Sequence, residues 1–527
     1  MDKQYIIKVL PANISITAAE GHNLYQVLAA GGFLLDGDCG GRGICRRCRV
    51  RIKAGNITAP HIKEQEIFSA GELEAGWRLA CLQTIRDDLT VELSPAVGVE
   101  EERSCQIAPA KHDLAVAIDL GTTSIAAGLL DLANGQILSM ASQDNSQRSF
   151  GADVITRIDY CLQNADGLSL LQQAVWRDIA ALLGRLCQKS QADVDKIKVI
   201  TVVANSVMSH LAWNISPQSL AQAPYEPTLL VGQKKRAGQL PLAPYYPRLA
   251  ADVYLLPNIG GYVGSDTLAA ILACDLWGKK DAANYTLLLD IGTNGEIVLV
   301  GRGQILAASA AAGPAFEGAH IICGMRATAG ALWAVCLGND DIACRTICDK
   351  PLCGICGSGL LSLVAFLRRQ SLLDQRGRLA AGAKVLPALS GRLQGDGQKR
   401  RFLLKNEVAL YQSDIREFQL AKGAIAACWQ SLLTEAGADV ADIEQVLLAG
   451  AFGNKLAKED AIYLGLLPPI DKERVDYIGN AAWQGAYLAA IDDEKRQVAD
   501  NLAKQIRHVD TAGQKGFQNL FIKALNF

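Results

Sequence analysis

The chain has 527 residues, half of them apolar and a fifth charged, which suits a well-buried globular protein of several domains. With 52 basic against 54 acidic residues its formal net charge is -2, so no bulk electrostatic pull toward nucleic acid or an anionic membrane is expected. There is no apolar run of about 18 residues and no basic head with an apolar core behind it, which excludes a membrane-spanning helix and a signal peptide. Fifteen cysteines then fit free thiols and a metal centre in a reducing cytoplasm better than a disulfide framework.

The first domain is expected to run from residue 1 to 94. Gln4–Leu10 alternates and predicts a strand, with Asn13–Thr17 as its hairpin partner. Asn23–Ala30 reads as a short amphipathic helix that stops at Gly31-Gly32. A glycine- and arginine-rich loop follows, carrying Cys39, Cys45 and Cys48, and Cys81 comes later in Arg78-Leu79-Ala80-Cys81. Arg49–Lys53 and Leu89–Leu93 predict further strands. Small residues let a backbone wrap an iron–sulfur cluster and aim amides at its sulfurs. The spacing C-x5-C-x2-C, then a distant C, has one residue more than the plant-type pattern. It resembles the adrenodoxin and putidaredoxin branch of two-iron ferredoxins. A structural zinc site usually has two C-x2-C pairs, and here one pair is stretched and one ligand is isolated. The expected fold is an α+β β-grasp ferredoxin, with Cys39, Cys45, Cys48 and Cys81 as ligands of a 2Fe-2S cluster. Arg42, Arg46, Arg47, Arg49 and Arg51 crowd this region, either to offset the cluster's charge or to dock an acidic partner.

Residues 95–112 read as a linker. Beyond it the chain repeats one unit. Leu114–Leu120 is an apolar strand that ends in the turn Asp119-Leu120-Gly121-Thr122-Thr123 and returns as a second strand toward Asn134-Gly135, a type I′ turn signal. Tyr285–Ile291 does the same through Asp290-Ile291-Gly292-Thr293-Asn294. Two copies so far apart imply a duplicated domain, with halves at 113–280 and 281–527. Glycine lets backbone approach a phosphate, while the turn amides and threonine hydroxyls donate to its oxygens. Asp119 and Asp290 can hold Mg²⁺ through water. Gly450 and Gly453, in Leu448-Ala449-Gly450-Ala451-Phe452-Gly453, leave room for a base and ribose. The pattern resembles the actin, sugar-kinase and heat-shock ATPase superfamily. That implies an α/β duplicated ribonuclease-H-like (actin/hexokinase-type) ATPase with two halves around a cleft that takes ATP with Mg²⁺. Glu296 and Glu317 are the carboxylates available to activate water, although either could serve only as a structural hydrogen-bond acceptor.

Three other stretches need a reading. Gly264-Ser265-Asp266 precedes an apolar helix at Thr267–Cys274. Cys353-Gly354-Ile355-Cys356 leads into Gly357-Ser358-Gly359 and a helix, with the thiols as small packing residues. Asp414 is placed to cap a long amphipathic helix whose Lys422 reads as a solvated side chain, or as one that reaches the nucleotide.

The stretches Gly-Gly-Arg-Gly-Ile-Cys, Asp-Ile-Gly-Thr-Asn-Gly-Glu, Gly-Pro-Ala-Phe-Glu-Gly-Ala, Gly-Ile-Cys-Gly-Ser-Gly, Asp-Ile-Arg-Glu-Phe-Gln-Leu-Ala-Lys and Leu-Ala-Gly-Ala-Phe-Gly look like the reductive activators of corrinoid proteins. That resemblance implies ATP-dependent transfer of one electron from a 2Fe-2S cluster to Co(II), giving Co(I), on the corrinoid protein of a methyltransferase or demethylase system. It also implies a low-potential electron donor such as a ferredoxin or flavodoxin. The oligomeric state, a homodimer among the options, is open. About 60 mV in a one-electron couple corresponds to about 1.4 kcal/mol, so a few kcal/mol of conformational coupling could offset an uphill gap of order 100–200 mV. The rival readings are a redox-sensing small-molecule kinase of the same superfamily and a chaperone-like module that only binds its partner.

Overall fold

Alternating apolar residues in the first strand set the small N-terminal sheet. In β1 (Gln4–Leu10), Tyr5, Ile7 and Val9 point inward and their neighbours outward. β1 pairs antiparallel with β2 (Ile14–Ala19) and parallel with β5 (Leu89–Leu93). β3 (Arg49–Ala54) lies antiparallel between β5 and β4 (Trp77–Leu79), giving the order β2-β1-β5-β3-β4. Leu24 and Leu28 of helix Leu24–Ala30 join Val50, Leu79 and Val91 in one core, each worth about 1.5–3 kcal/mol when fully buried. This is the expected β-grasp arrangement. The hairpin partner begins and ends later than Asn13–Thr17.

The computed structural model describes residues 3–10, 14–30, 48–56, 59–65, 68–93, 112–338, 341–380, 387–450, 456–511 and 513–527. These fall into two compact units, residues 1–229 with 233–255, and residues 230–232 with 256–527.

In the first unit β6 (Leu114–Leu120), β7 (Ser124–Asp131), β8 (Ile137–Asp144), β9 (Ile197–Ala204), β10 (Gln233–Arg236) and β11 (Asp252–Leu255) form a sheet of order β10-β11-β9-β6-β7-β8. In the second, β12 (Tyr285–Ile291), β13 (Gly295–Gly301) and β14 (Gln304–Ala310) begin the larger sheet. β15 (Ala331–Leu337), β16 (Ile342–Thr346) and β17 (Gly354–Ile355) make one small sheet, and β18 (Leu393–Gln394), β19 (Arg401–Leu403) and β20 (Ala409–Tyr411) another. β21 (Ile443–Ala449), β22 (Val475–Gly479) and β23 (Arg507–His508) complete the larger one, in the order β22-β21-β12-β13-β14-β23.

The two six-stranded sheets follow one plan. A central apolar strand pairs antiparallel with the strand that follows it, β6 with β7 and β12 with β13, and parallel with a later one, β9 or β21. Being covered on both faces, β6 and β12 are continuous apolar runs. Their burial is identical residue by residue, and the half-exposed position in each is the aspartate, Asp119 or Asp290.

Local readings needed four corrections. Only Gly135 of Asn134-Gly135 has positive φ, at 72°, so the turn is not type I′. Gly135 N donates to Asp131 O, and the Asp131 carboxylate accepts from Ala133 N. The helix expected at Thr267–Cys274 runs Ser265–Ala273 and packs in the second unit, where Gly485 of helix Ala481–Ile491 lies so close that a Cβ would stand 2.0 Å from Ala269 O. Helix Gln412–Ala436 is capped by Tyr411, and Asp414 is its third residue, accepting from Tyr411 N. Lys422 is neither solvated nor seen to reach a nucleotide-binding turn. It is 1 % exposed, its Nζ donates to Asn526 O at 2.5 Å, and it lies 5.0 Å from the Phe527 ring centre.

Burial pulls the Lys422 ammonium down to about 8 from its ordinary 10.5. Below about pH 8 the folded state therefore carries the full cost of a buried charge, and that cost is relieved as pH rises toward 10.5. Urea titrations should show wild type gaining on Lys422→Met by on the order of 3 kcal/mol between pH 7 and pH 10.5, at about 1.4 kcal/mol per pKa unit.

Candidate functional site

Two of the four expected cluster ligands lie among the described residues. Cys48 precedes β3 and Cys81 follows β4. Both are buried and neither is in a disulfide. Ala80 N donates to Cys48 O at 2.9 Å, which ties the two ligand segments together. Asn23 adds a second tie: its Nδ2 donates to Cys81 O at 2.8 Å, while its Oδ1 accepts from Tyr25 N at the start of helix Leu24–Ala30. Buried thiols outside any disulfide, on two joined segments, fit the thiolate ligation that a 2Fe-2S cluster requires. Cys39, Cys45, Arg42, Arg46 and Arg47 lie outside the described residues. Of the basic side chains on β3, Arg49 stacks over Phe68, Arg51 Nε donates to Ala75 O, and Lys53 pairs with Glu92 at 3.1 Å.

The first phosphate-type turn follows β6. A Cβ at Gly121 would stand 2.6 Å from Ser124 O, so only glycine lets the chain turn this tightly into β7. Three buried side chains brace the turn from behind. Asn145 Nδ2 donates to Gly121 O at 2.9 Å, and Asn145 N donates to Thr123 O. Asn205 Nδ2 donates to Thr122 Oγ1 at 3.0 Å, and its Oδ1 caps helix Ser206–Trp213 through Met208 N. Arg157, fully buried, donates from Nη2 to Thr122 O at 2.6 Å, from Nε to Gly151 O at 2.9 Å and from Nη1 to Gln147 Oε1 at 3.2 Å. No sequence motif assigns a role to any of the three. Asn205 and Arg157 stand in polar breaks beside apolar runs, which is a faint signal at best.

The second turn follows β12. A Cβ at Gly292 would meet only Asn294 O, at 3.6 Å, while Gly292 N donates to Asn294 O at 3.0 Å. Thr293 is buried and donates its hydroxyl to Glu317 Oε1 at 2.8 Å. Gly450, just past β21, has φ +83° and abuts Asp290, since a Cβ there would stand 2.5 Å from Asp290 Oδ1. Glu296 on β13 is in register with Asp290 on one side and Ser309 on the other. Loss of hydration, then the charges of Asp266 and Asp290, raise the Glu296 carboxyl well above its usual range, against the pull of its own N–H and the Ser309 hydroxyl. Asp290, Gly292, Thr293, Asn294, Glu296, Glu317 and Gly450 all belong to one unit, and Asp119, Gly121, Thr122 and Thr123 to the other. Gly453 lies outside the described residues.

Asp414 anchors the loop that follows β14. It is fully buried, accepts from Ile322 N at 3.0 Å and from Tyr411 N at 2.9 Å, and burial lifts it to about 6. Cys356 is buried and directs its thiol to Leu332 O, whereas Cys353 is exposed and so is no packing residue. Among the described residues no group of three or more histidines, cysteines or carboxylates is arranged to hold a metal ion. No helix among them is long and apolar enough to cross a membrane.

A β-grasp domain with buried cluster-type cysteines, joined to a duplicated Asp-Gly-Thr hairpin sheet, defines an electron-transfer module fused to an ATPase of the actin and sugar-kinase type. Comparison with known proteins agrees. Residues 7–86 match the 2Fe-2S iron-sulfur cluster binding domain, residues 114–279 the RACo middle region, and residues 284–527 the C-terminal domain of RACo, the ASKHA domain. The chain is 32 % identical over 417 residues to the corrinoid activation enzyme RamQ of Eubacterium limosum, covering 77 % of this chain and 69 % of that one. It is 24 % identical over 442 residues to the [Co(II) methylated amine-specific corrinoid protein] reductase of Methanosarcina barkeri, covering 78 % and 76 %. Its fold matches a solved reductive activator for a corrinoid, iron-sulfur protein with a TM-score of 0.70 at 25 % identity, over 99 % of this chain and 98 % of that one. The chain belongs to the family of reductive activators of corrinoid proteins.

Arg157→Met would leave the carbonyls of Thr122 and Gly151 and the Gln147 amide without their buried donor. Urea unfolding should show a loss on the order of 3–5 kcal/mol. Nucleotide affinity, read by calorimetry on the folded variant, should fall at least tenfold because the Gly121–Thr123 turn loses its brace.

Proposed function

We infer that this chain is an ATP-dependent reductive activator that transfers one electron to the Co(II) of a corrinoid protein and returns it to Co(I). One observation carries the reading. A single chain joins a β-grasp domain holding Cys48 and Cys81 to a duplicated ATPase hairpin, and it aligns along most of its length with a corrinoid activation enzyme. The 2Fe-2S cluster supplies single-electron chemistry when bound.

Cys39, Cys45, Cys48 and Cys81 would hold the cluster. Gly121, Thr122, Thr123, Gly292, Thr293 and Asn294 would present amides and hydroxyls to phosphate oxygens, and Gly450 and Gly453 would border the nucleoside. Asp119 and Asp290, each half-exposed near the end of a central strand, would orient Mg²⁺ through water. Of the two carboxylates proposed to activate water, each already accepts from a hydroxyl, Glu296 from Ser309 and Glu317 from Thr293, and either would act by exchanging that partner for water. The domain limits we propose are 1–94 for the ferredoxin part, 95–112 for a linker, and 113–280 and 281–527 for the ATPase halves. The electron donor would be a low-potential ferredoxin or flavodoxin, the location the cytoplasm, and a homodimer is compatible with the reading.

The test mixes the cluster-loaded protein, a reductant and an oxidised corrinoid protein, and follows the cobalt spectrum. Co(I) should accumulate with ATP and not without it. Co(I) formed at the same rate without ATP, or none formed with it, would overturn the reading. Phosphoryl transfer to a small metabolite in the absence of any corrinoid protein would favour the kinase instead.

A further inference from the structure

Glu64 is a fully buried carboxylate in the β-grasp domain that the electron-transfer reading leaves unexplained. It belongs to the one-turn helix Ile62–Gln65, where its Oε2 accepts from His61 N at 2.8 Å. That bond is an ordinary helix cap, and a cap needs only one oxygen and no burial. The other oxygen points into the domain. Oε1 accepts from Leu79 N at 2.7 Å and from Gln83 Nε2 at 3.1 Å. Leu79 stands two residues before Cys81 and Gln83 two residues after it. His61 N, Leu79 N and Gln83 Nε2 all donate to it, which matches the acceptor oxygens of a carboxylate.

We propose that Glu64 is a positioning and potential-setting residue for the cluster, its carboxylate clasping the Leu79 N–H on one side of Cys81 and the Gln83 side-chain amide on the other, and holding a fixed negative charge near that ligand. The proposal rests on the reading of Cys81 as a cluster ligand. Two consequences follow from geometry and charge. Leu79 and Gln83 are tied to a common point, so the intervening Ala80–Leu82 turn presents the Cys81 thiol in one orientation. Adding an electron to a cluster beside a buried negative charge is disfavoured, and net charge and hydrogen bonding are the protein's main means of setting such a potential. Glu64 therefore makes the reduced cluster a stronger reductant, which suits a protein whose acceptor is difficult to reduce. Gln83 moderates the effect, because its amide withdraws charge from the same oxygen.

The experiment is spectroelectrochemical titration of the cluster in the full-length protein, with iron content and urea stability measured in parallel. Glu64→Gln keeps the shape and removes the charge. The oxidised–reduced equilibrium should shift about tenfold toward the reduced form, a rise of about 59 mV for a one-electron couple. Glu64→Asp should restore most of the wild-type potential. Gln83→Leu, which removes one donor from the carboxylate, should shift the equilibrium severalfold the opposite way. A Glu64→Gln protein with full iron content and an unchanged midpoint overturns the proposal, since a merely structural residue would change stability alone. Should Glu64→Gln fail to assemble the cluster, Gln83→Leu decides: a lowered midpoint supports the proposal, and an unchanged or raised one overturns it. A wild-type protein that binds no iron would instead overturn the assignment of Cys81 as a ligand, and the proposal with it.

Discussion

A charge removed from water must be met by hydrogen bonds, and the functional segments of this chain are held in place by that requirement. Arg157 holds the first phosphate-type turn through Thr122 O and Gly151 O. Glu64 holds the Cys81 segment, Asp414 holds the loop at Ile322, and Lys422 holds the chain at Asn526. In each case a buried ionisable group binds main-chain atoms of a segment distant in sequence. An apolar side chain in the same place could fill the space but could not specify where a carbonyl or amide points. The hydrophobic layers make the units stable, and these contacts fix the orientation of the main-chain segments they bind.

The architecture was legible because its signals are local. Leu114–Leu120 and Tyr285–Ile291 are unbroken apolar runs that end in an aspartate and a small-residue turn, and such runs have few other ways to be buried. The alternation of Gln4–Leu10 was as plain. The braces were not legible because they depend on residues brought together by folding. Arg157 meets Thr122 across 35 residues of sequence, Asn205 meets it across 83, and Lys422 meets Asn526 across 104. A lysine among alternating polar and apolar helix residues reads as solvated until the segment that covers it is known. The misplaced cap at Asp414 has the same origin: aspartate is common both at the cap and three residues inside it, and only the Tyr411 N contact distinguishes the two.

Duplication of the hairpin did not produce two equal turns. The backbones share a plan and a burial pattern, yet their supports differ. The first is braced by two asparagines and an arginine, the second by Glu317 on the short helical turn Pro314–Glu317. The second also packs Gly450 directly against Asp290, so closely that a Cβ at Gly450 would stand 2.5 Å from Asp290 Oδ1.

The threonine contacts divide the work further. Thr122 Oγ1 accepts a hydrogen bond from Asn205 Nδ2, so its own hydroxyl hydrogen is left to point at another acceptor. Thr293 gives its hydrogen to Glu317 and keeps only lone pairs to offer. The two threonines therefore start from opposite hydrogen-bond states, and for the phosphate contact proposed at the second turn the Thr293 hydroxyl would first have to leave Glu317.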